Sequence, residues 1–214
     1  MIEADLKSIE RSTYRAALDS GLWDIFLASL VAMFAIAPLL SVHFGDFLAS
    51  AVFLPVFAAE LVAIRVIQNR VVEPRIGCVE LAPPRRQRML VFGVVMLVVN
   101  VVGLVAGLVV AARSPVIGGP IVPLTFSMVI LIGFTLASFF LEIPRVFLYG
   151  FLLAVAPIVG EALFVRGYAS HHGFPIVFGV CSVVILVSGF LRFRSFLPGR
   201  QAADGMPAPG STDD

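Results

Sequence analysis

Apolar residues along this chain gather into six long blocks, residues 22–42, 47–67, 89–112, 121–141, 146–165 and 175–191, with short polar stretches between them. Most of the blocks reach the roughly 20 residues that an α-helix needs to cross a ~30 Å hydrocarbon core. No water is present there to satisfy backbone N–H and C=O groups, and continuous runs without the in/out alternation of a barrel strand select helices. The pattern predicts an all-α integral membrane bundle of six transmembrane helices over residues 22–191. Ahead of it, Ile2, Leu6, Ile9, Thr13, Ala16 and Ala17 share one helical stripe and Lys7, Arg11 and Arg15 another, which predicts an N-terminal amphipathic helix over 1–21. Such a helix would lie on an anionic cytoplasmic leaflet before the chain turns inward at Gly21.

Composition agrees with the pattern. A chain of 214 residues that is 59% hydrophobic and 14% charged cannot cover a water-facing surface. Its mean hydropathy is +1.02. With loops this short, no separate soluble domain is expected. Residues 1–21 are charged and contain no short apolar core followed by an Ala-x-Ala site, so the N-terminus is expected to be retained.

Net charge, at +1, carries no message, but the placement of charge does. Of the fifteen Lys and Arg residues, only Arg113 and Arg166 fall on one side of the expected topology, which leaves thirteen on the other. The positive-inside rule therefore predicts both termini in the cytoplasm, as an even number of spans requires. The expected setting is a prokaryotic inner membrane. The only sizeable cytoplasmic connection is the 68–88 loop, "QNRVVEPRIGCVELAPPRRQR". Its Val71–Val72 pair and its 76–81 run, separated by Pro74, read as extended chain or a short hairpin. Arg75, Arg85, Arg86 and Arg88 there, with Lys7, Arg11 and Arg15, are candidates for contact with lipid phosphates or a partner, or a simple stop-transfer charge cluster. The tail 192–214 is rich in Gly, Pro, Ala and Asp after about residue 199, a composition that predicts disorder.

Candidate chemistry is sparse. In the third block Gly93, Asn100, Gly103 and Gly107 share a face that includes the GxxxG step "GLVAG", a seam for another helix of this chain or of a second copy. Glu60, Glu142 and Glu161 lie in or near the hydrocarbon, where an ionised carboxylate needs a partner or a task. Arg65 and Arg145 are nearby ion-pairing candidates for the first two, but five residues put Glu60 and Arg65 on different faces, which predicts that Glu60 points at another helix or a cavity. Gathered carboxylates would suit transport, whereas these three stand at different depths. At the outer face His43, Asp46, His171 and His172 are weak candidate metal ligands, split between two loops without HExxH spacing. Cys78 and Cys181 fall at different depths, so no disulfide is expected, and no cofactor is implied. No P-loop, dinucleotide fingerprint or Ser/His/Asp arrangement occurs.

Two stretches resemble known families. The run "GEALFVRG", residues 160–167, resembles the EExxxRG motif of intramembrane CAAX-type proteases, with Glu161, Arg166 and Gly167 in matching positions. Ala162 replaces that motif's second glutamate and the sixth block has no histidine, so general-base catalysis lacks its partners. "YRAALDSGLWDIFLA", residues 14–28, followed by "EPRIGCVEL", residues 73–81, resembles uncharacterised prokaryotic multi-pass membrane proteins with a "GLWDI" opening and a "PRIG" cytoplasmic loop. That resemblance implies a membrane protein and names no active residue. The sequence thus leaves two classes open: a non-enzymatic binding or accessory subunit that packs with lipids, with another membrane subunit or with copies of itself as a homo-oligomer, and a small transporter or channel-like protein. Nucleic acid is not an expected partner.

Overall fold

The computed structural model describes residues 20–72, 74, 83–113 and 121–197. The expected amphipathic helix over 1–21, apart from Ser20 and Gly21, the Arg75 segment and the tail from residue 198 lie outside those residues. Six long helices are described: α1 (Leu22–Ala51), α2 (Phe53–Ile67), α3 (Pro83–Arg113), α4 (Ile121–Leu141), α5 (Pro144–Val165) and α6 (Phe174–Phe196). Five of the apolar segments are long enough to cross a membrane: Leu22–Gly45, Phe47–Val72, Ile121–Leu141, Pro144–Val165 and His171–Phe196. In α3, which runs through the apolar block 89–112, the apolar stretch among the residues whose side chains are described is Leu90–Gly103. Large apolar side chains such as Leu54, Leu97, Phe139 and Leu148 stand exposed around the outside, as a lipid-facing surface requires. The molecule is a multi-pass α-helical membrane protein.

Helix ends follow local chemistry. Gly45, at φ 76 and ψ 160, breaks α1 and lets the chain reverse before the second crossing. Pro144 stands in the first turn of α5 and Pro175 in that of α6, where the missing N–H costs nothing. Between α4 and α5, Glu142 takes a left-handed conformation at φ 57, and Ser138 secures the turn by donating its hydroxyl to the carbonyl of Ile143 at 3.0 Å. Thr125 and Thr135 each donate back to the carbonyl four residues earlier, at 2.8 and 2.7 Å, which hides their hydroxyls from hydrocarbon.

The segment expected to be extended differs where it is described. Gln68–Val72 continues α2 as a π-helical turn, and the Arg85–Arg88 segment already belongs to α3. Leaving lipid does not oblige the chain to leave the helix, and the Pro83–Pro84 pair suits a helix start rather than an extended strand. The 75–82 stretch lies outside the described residues.

The packing is uneven. A core of Ala28, Val31 and Ala35 from α1, Tyr149, Leu153 and Ala156 from α5, and Phe178, Cys181 and Ile185 from α6 joins three helices. Lipid tails are as apolar as these side chains, so association depends on close fit rather than on escape from water. The fit is set by small residues. A Cβ on Gly189 would stand 2.9 Å from Asp24 Cβ and 3.0 Å from the Ile25 nitrogen, and Gly21 abuts the Gly189 carbonyl in return. Gly150 likewise receives the ring of Phe134 from α4. Helices α2 and α3 stand at the two ends of the order α2–α1–α6–α5–α4–α3, α2 resting on α1 and α3 on α4.

Candidate functional site

Three features of the interior could do chemistry, and they lie at different depths. The first is an ionic cluster where α1 begins, α5 begins and α6 ends. Arg145 Nε stands 3.3 Å from Asp24 Oδ1, with both side chains buried, and the half-exposed Arg192 reaches Asp24 Oδ2 at 3.9 Å. Asp24 in the first turn of α1 and Arg192 near the end of α6 each match their helix dipole. Arg145 opposes the dipole at the start of α5, and the Asp24 carboxylate offsets that. The cluster is a staple: it holds the start of α1 and the end of α6 at the same end of the bundle.

The second feature is Glu60. Its carboxylate accepts a hydrogen bond from the Ser29 hydroxyl, tying α2 to α1. Ser29 also lies 2.9 Å from the Phe26 carbonyl, and a hydroxyl has one hydrogen to give, so the two acceptors compete for it. Phe57 of α2 packs edge-on to Phe26 beside them. At the opposite end of the bundle Glu161 Oε2 lies 2.8 Å from His172 Nδ1, whose ring sits tilted against Phe164 at 4.3 Å between centroids. His171 and His172 both adopt left-handed backbone, at φ 50 and 53, and the bare Gly160 and Gly173 let that turn sit against α5. Among the described residues no group of three or more His, Cys, Asp or Glu could hold a metal ion, and His43 stands exposed near the end of α1.

The third feature is a cavity of about 390 Å³. Its walls are Leu27, Leu30, Val31 and Phe34 of α1; Met96, Val99 and Asn100 of α3; the Phe126–Ala137 face of α4; and Leu153 and Phe178 from the core. Phe126 and Ala137 are eleven positions apart, so the lining runs roughly 16 Å along α4. Around α1, the cavity stripe lies between the stripe that meets α6 (Ala28, Val31, Ala35) and the one that meets α2 (Phe26, Ser29). The cavity therefore lies between α1, α4 and α3, with Leu153 and Phe178 of the core behind it. Four phenylalanines contribute to its lining. Phe34 lies 5.4 Å from Phe178 and 6.1 Å from Phe126, ring to ring, and Phe134 lines the cavity one turn along α4 from Ile130.

Asn100 is the polar side chain in that lining. Its Nδ2 donates to the Met96 carbonyl one turn back at 2.8 Å. The amide's second N–H and its Oδ1 carbonyl have no partner among the described residues. On the same helix Gly103 packs on α4, where its Cβ position would be 3.2 Å from Val129 Cγ1, whereas Gly93 meets nothing within 4 Å. The glycine stripe of α3 is thus a seam at Gly103 and open surface at Gly93. Gly107 belongs to α3, and its packing lies outside what is described.

Sequence reasoning passed over Asp24, Arg192 as its partner, Ser29 and the phenylalanines. Asp24 had a signal, since it is an acidic residue inside the first apolar block. The phenylalanines had none, because a ring facing a cavity and a ring facing lipid follow the same apolar spacing. No protein-family model, no curated protein and no solved structure matches this chain.

Proposed function

We propose that this protein is a non-enzymatic binding subunit of the prokaryotic inner membrane that holds a lipid-like molecule in the cavity between α1, α3 and α4. In this reading it crosses the bilayer six times with both termini in the cytoplasm. The observation that carries the binding role is the cavity: apolar, placed at bilayer depth and about 390 Å³, within the roughly 300–1,000 Å³ span of small-molecule sites. Its size also selects the occupant. A helix about 10 Å across fills about 80 Å³ for each ångström of length, so the cavity would take only about one turn of a partner helix. An acyl or isoprenoid chain suits it better.

A transporter would gather its polar groups along one path. Here Asp24, Glu60 and Glu161 each meet a separate partner on a different helix pair or turn. Native mass spectrometry of protein extracted in mild detergent tests the binding role: wild type should carry one retained amphiphile, and Ala137→Phe, which fills the lining, should lose it while keeping its melting temperature. Equal retention by both would reject the cavity as the site, and proton or cation flux in proteoliposomes that Glu60→Gln abolishes would favour transport. The orientation is supported by the thirteen-to-two charge bias and by the staple that keeps the start of α1 beside the end of α6. In a Cys78→Ser background, Val116→Cys and His172→Cys should react with an impermeant thiol reagent on intact cells, and Gly205→Cys should not.

A further inference from the structure

We propose that the molecule held in this cavity is a membrane quinone, a planar ring bearing carbonyl oxygens on an apolar tail, and that Asn100 determines the specificity. The inference rests on the cavity reading and goes beyond it to the ligand's class.

The argument begins with the unsatisfied half of the Asn100 amide. Met96 takes one N–H, leaving a donor and an acceptor at the middle of α3. Asn100 stands exposed where α3 lines the cavity, at bilayer depth, and an amide in an apolar medium costs several kcal/mol unless it finds partners. A plain acyl chain would leave that cost in place. A ring carbonyl removes part of it by accepting the free N–H, and the hydroxyl of the reduced, quinol form can donate to Oδ1. The site is thus suited to both redox states of one ring, and the binding itself requires no electron transfer.

The walls favour a ring as well. Phe34, Phe126, Phe134 and Phe178 offer faces and edges to a flat ligand, and aromatic pairs at such spacing are worth about 0.5–1.5 kcal/mol beyond area burial. Entry is lateral, from the bilayer, which is where a quinone is dissolved.

The chain carries its own reporter. Trp23, its single tryptophan, lies on the cavity stripe of α1 one turn, about 6 Å, before Leu27. A quinone in the cavity quenches it. The experiment titrates detergent-solubilised full-length protein with a decyl-tailed benzoquinone, in parallel with a bromine-labelled phosphatidylcholine, and competes each with decylbenzene, which has ring and tail but no carbonyl. Saturable quenching is expected from the quinone, with affinity lowered roughly tenfold in Asn100→Leu and with decylbenzene competing at least as much more weakly, the effect of one lost hydrogen bond. The decylbenzene competition uses the wild-type protein and so stands even if the variant folds poorly. Equal affinity of wild type and a variant with unchanged melting temperature, or equal competition by decylbenzene, would overturn the quinone assignment. Saturable quenching by the brominated lipid alone would overturn it too while leaving the cavity as a lipid site. Saturation by neither probe would remove both readings.

Discussion

The α1–α5–α6 core and the outlying pair α2 and α3 are made of the same apolar residue types, yet they are held in different ways. In the core, backbones approach until Gly189 lies against Asp24 and Ile25 and Gly150 receives the Phe134 ring, and a buried Arg145–Asp24 pair fastens one end. Among the described residues each outlying helix rests mainly on one neighbour: α2 on α1 through Ser29–Glu60 and Phe26–Phe57, α3 on α4 through Gly103–Val129 and Phe92–Phe140. In a solvent as apolar as the protein, hydrophobicity cannot distinguish a helix that belongs in the centre from one that belongs at the edge. Side-chain size and a few polar contacts make that distinction, and the cavity forms between α1, α4 and the outlying α3.

Substitutions can break this contrast, and the largest effect is expected in the core. Gly189→Leu would drive a side chain into the backbone of α1, beyond the ~1–3 kcal/mol of ordinary overpacking. The variant should fail to give a single folded peak in detergent size-exclusion chromatography. A melting curve like that of wild type would show that α1 and α6 are not in close contact. Next comes the staple: Arg145→Leu leaves the Asp24 carboxylate with only Arg192 within reach among its two arginine partners, and loss of one partner of a buried pair costs about 3–5 kcal/mol. Asp24→Asn in the same background should recover part of the lost melting temperature, because it removes the stranded charge. Failure to recover would mean that Arg145 acts by packing alone.

Smaller effects are expected at the edge. Gly103→Leu should push Val129 aside and loosen α3, at about 1–3 kcal/mol, whereas Gly93→Leu, with open space at its Cβ, should leave thermal stability unchanged. Equal losses at the two positions would contradict the packing of α3 on α4. Ser29→Ala removes the bond to Glu60 and should cost about 0.6 kcal/mol, the usual yield of a hydrogen bond between membrane helices. Its clearest readout is increased proteolytic access to the chain after Val72, with the core melting transition preserved. A shift of the whole transition would place α2 within the cooperative core.

Much of the frame was legible because it depends on local chemistry. Long apolar blocks must be helices in hydrocarbon, and the polar stretches between them mark where the chain turns. Glu60 was expected to seek a partner other than Arg65 because five residues separate faces, and in the structure Ser29 supplies one. Val71–Val72 misled because a β-branched pair ahead of a proline has the local propensities of extended chain, yet Gln68–Val72 is helical, as is the chain from Pro83, while the 76–81 run lies outside the described residues. The glycine stripe of α3 was legible as a face, with Gly103 against Val129 and open space at Gly93: a helical face is a property of sequence, but where a neighbour lies along it is not.

By itself the sequence determined the solvent, the number of apolar blocks and the uneven distribution of charge, since each is set by residues close together in the chain and by the medium around them. Only the tertiary structure decided which helices are central, that Arg145 answers Asp24 across 121 positions of chain, and that four phenylalanines and one amide surround a single cavity. Those outcomes depend on which helix faces meet, and in lipid that is settled by the fit of small and large side chains between helices rather than by how apolar each helix is.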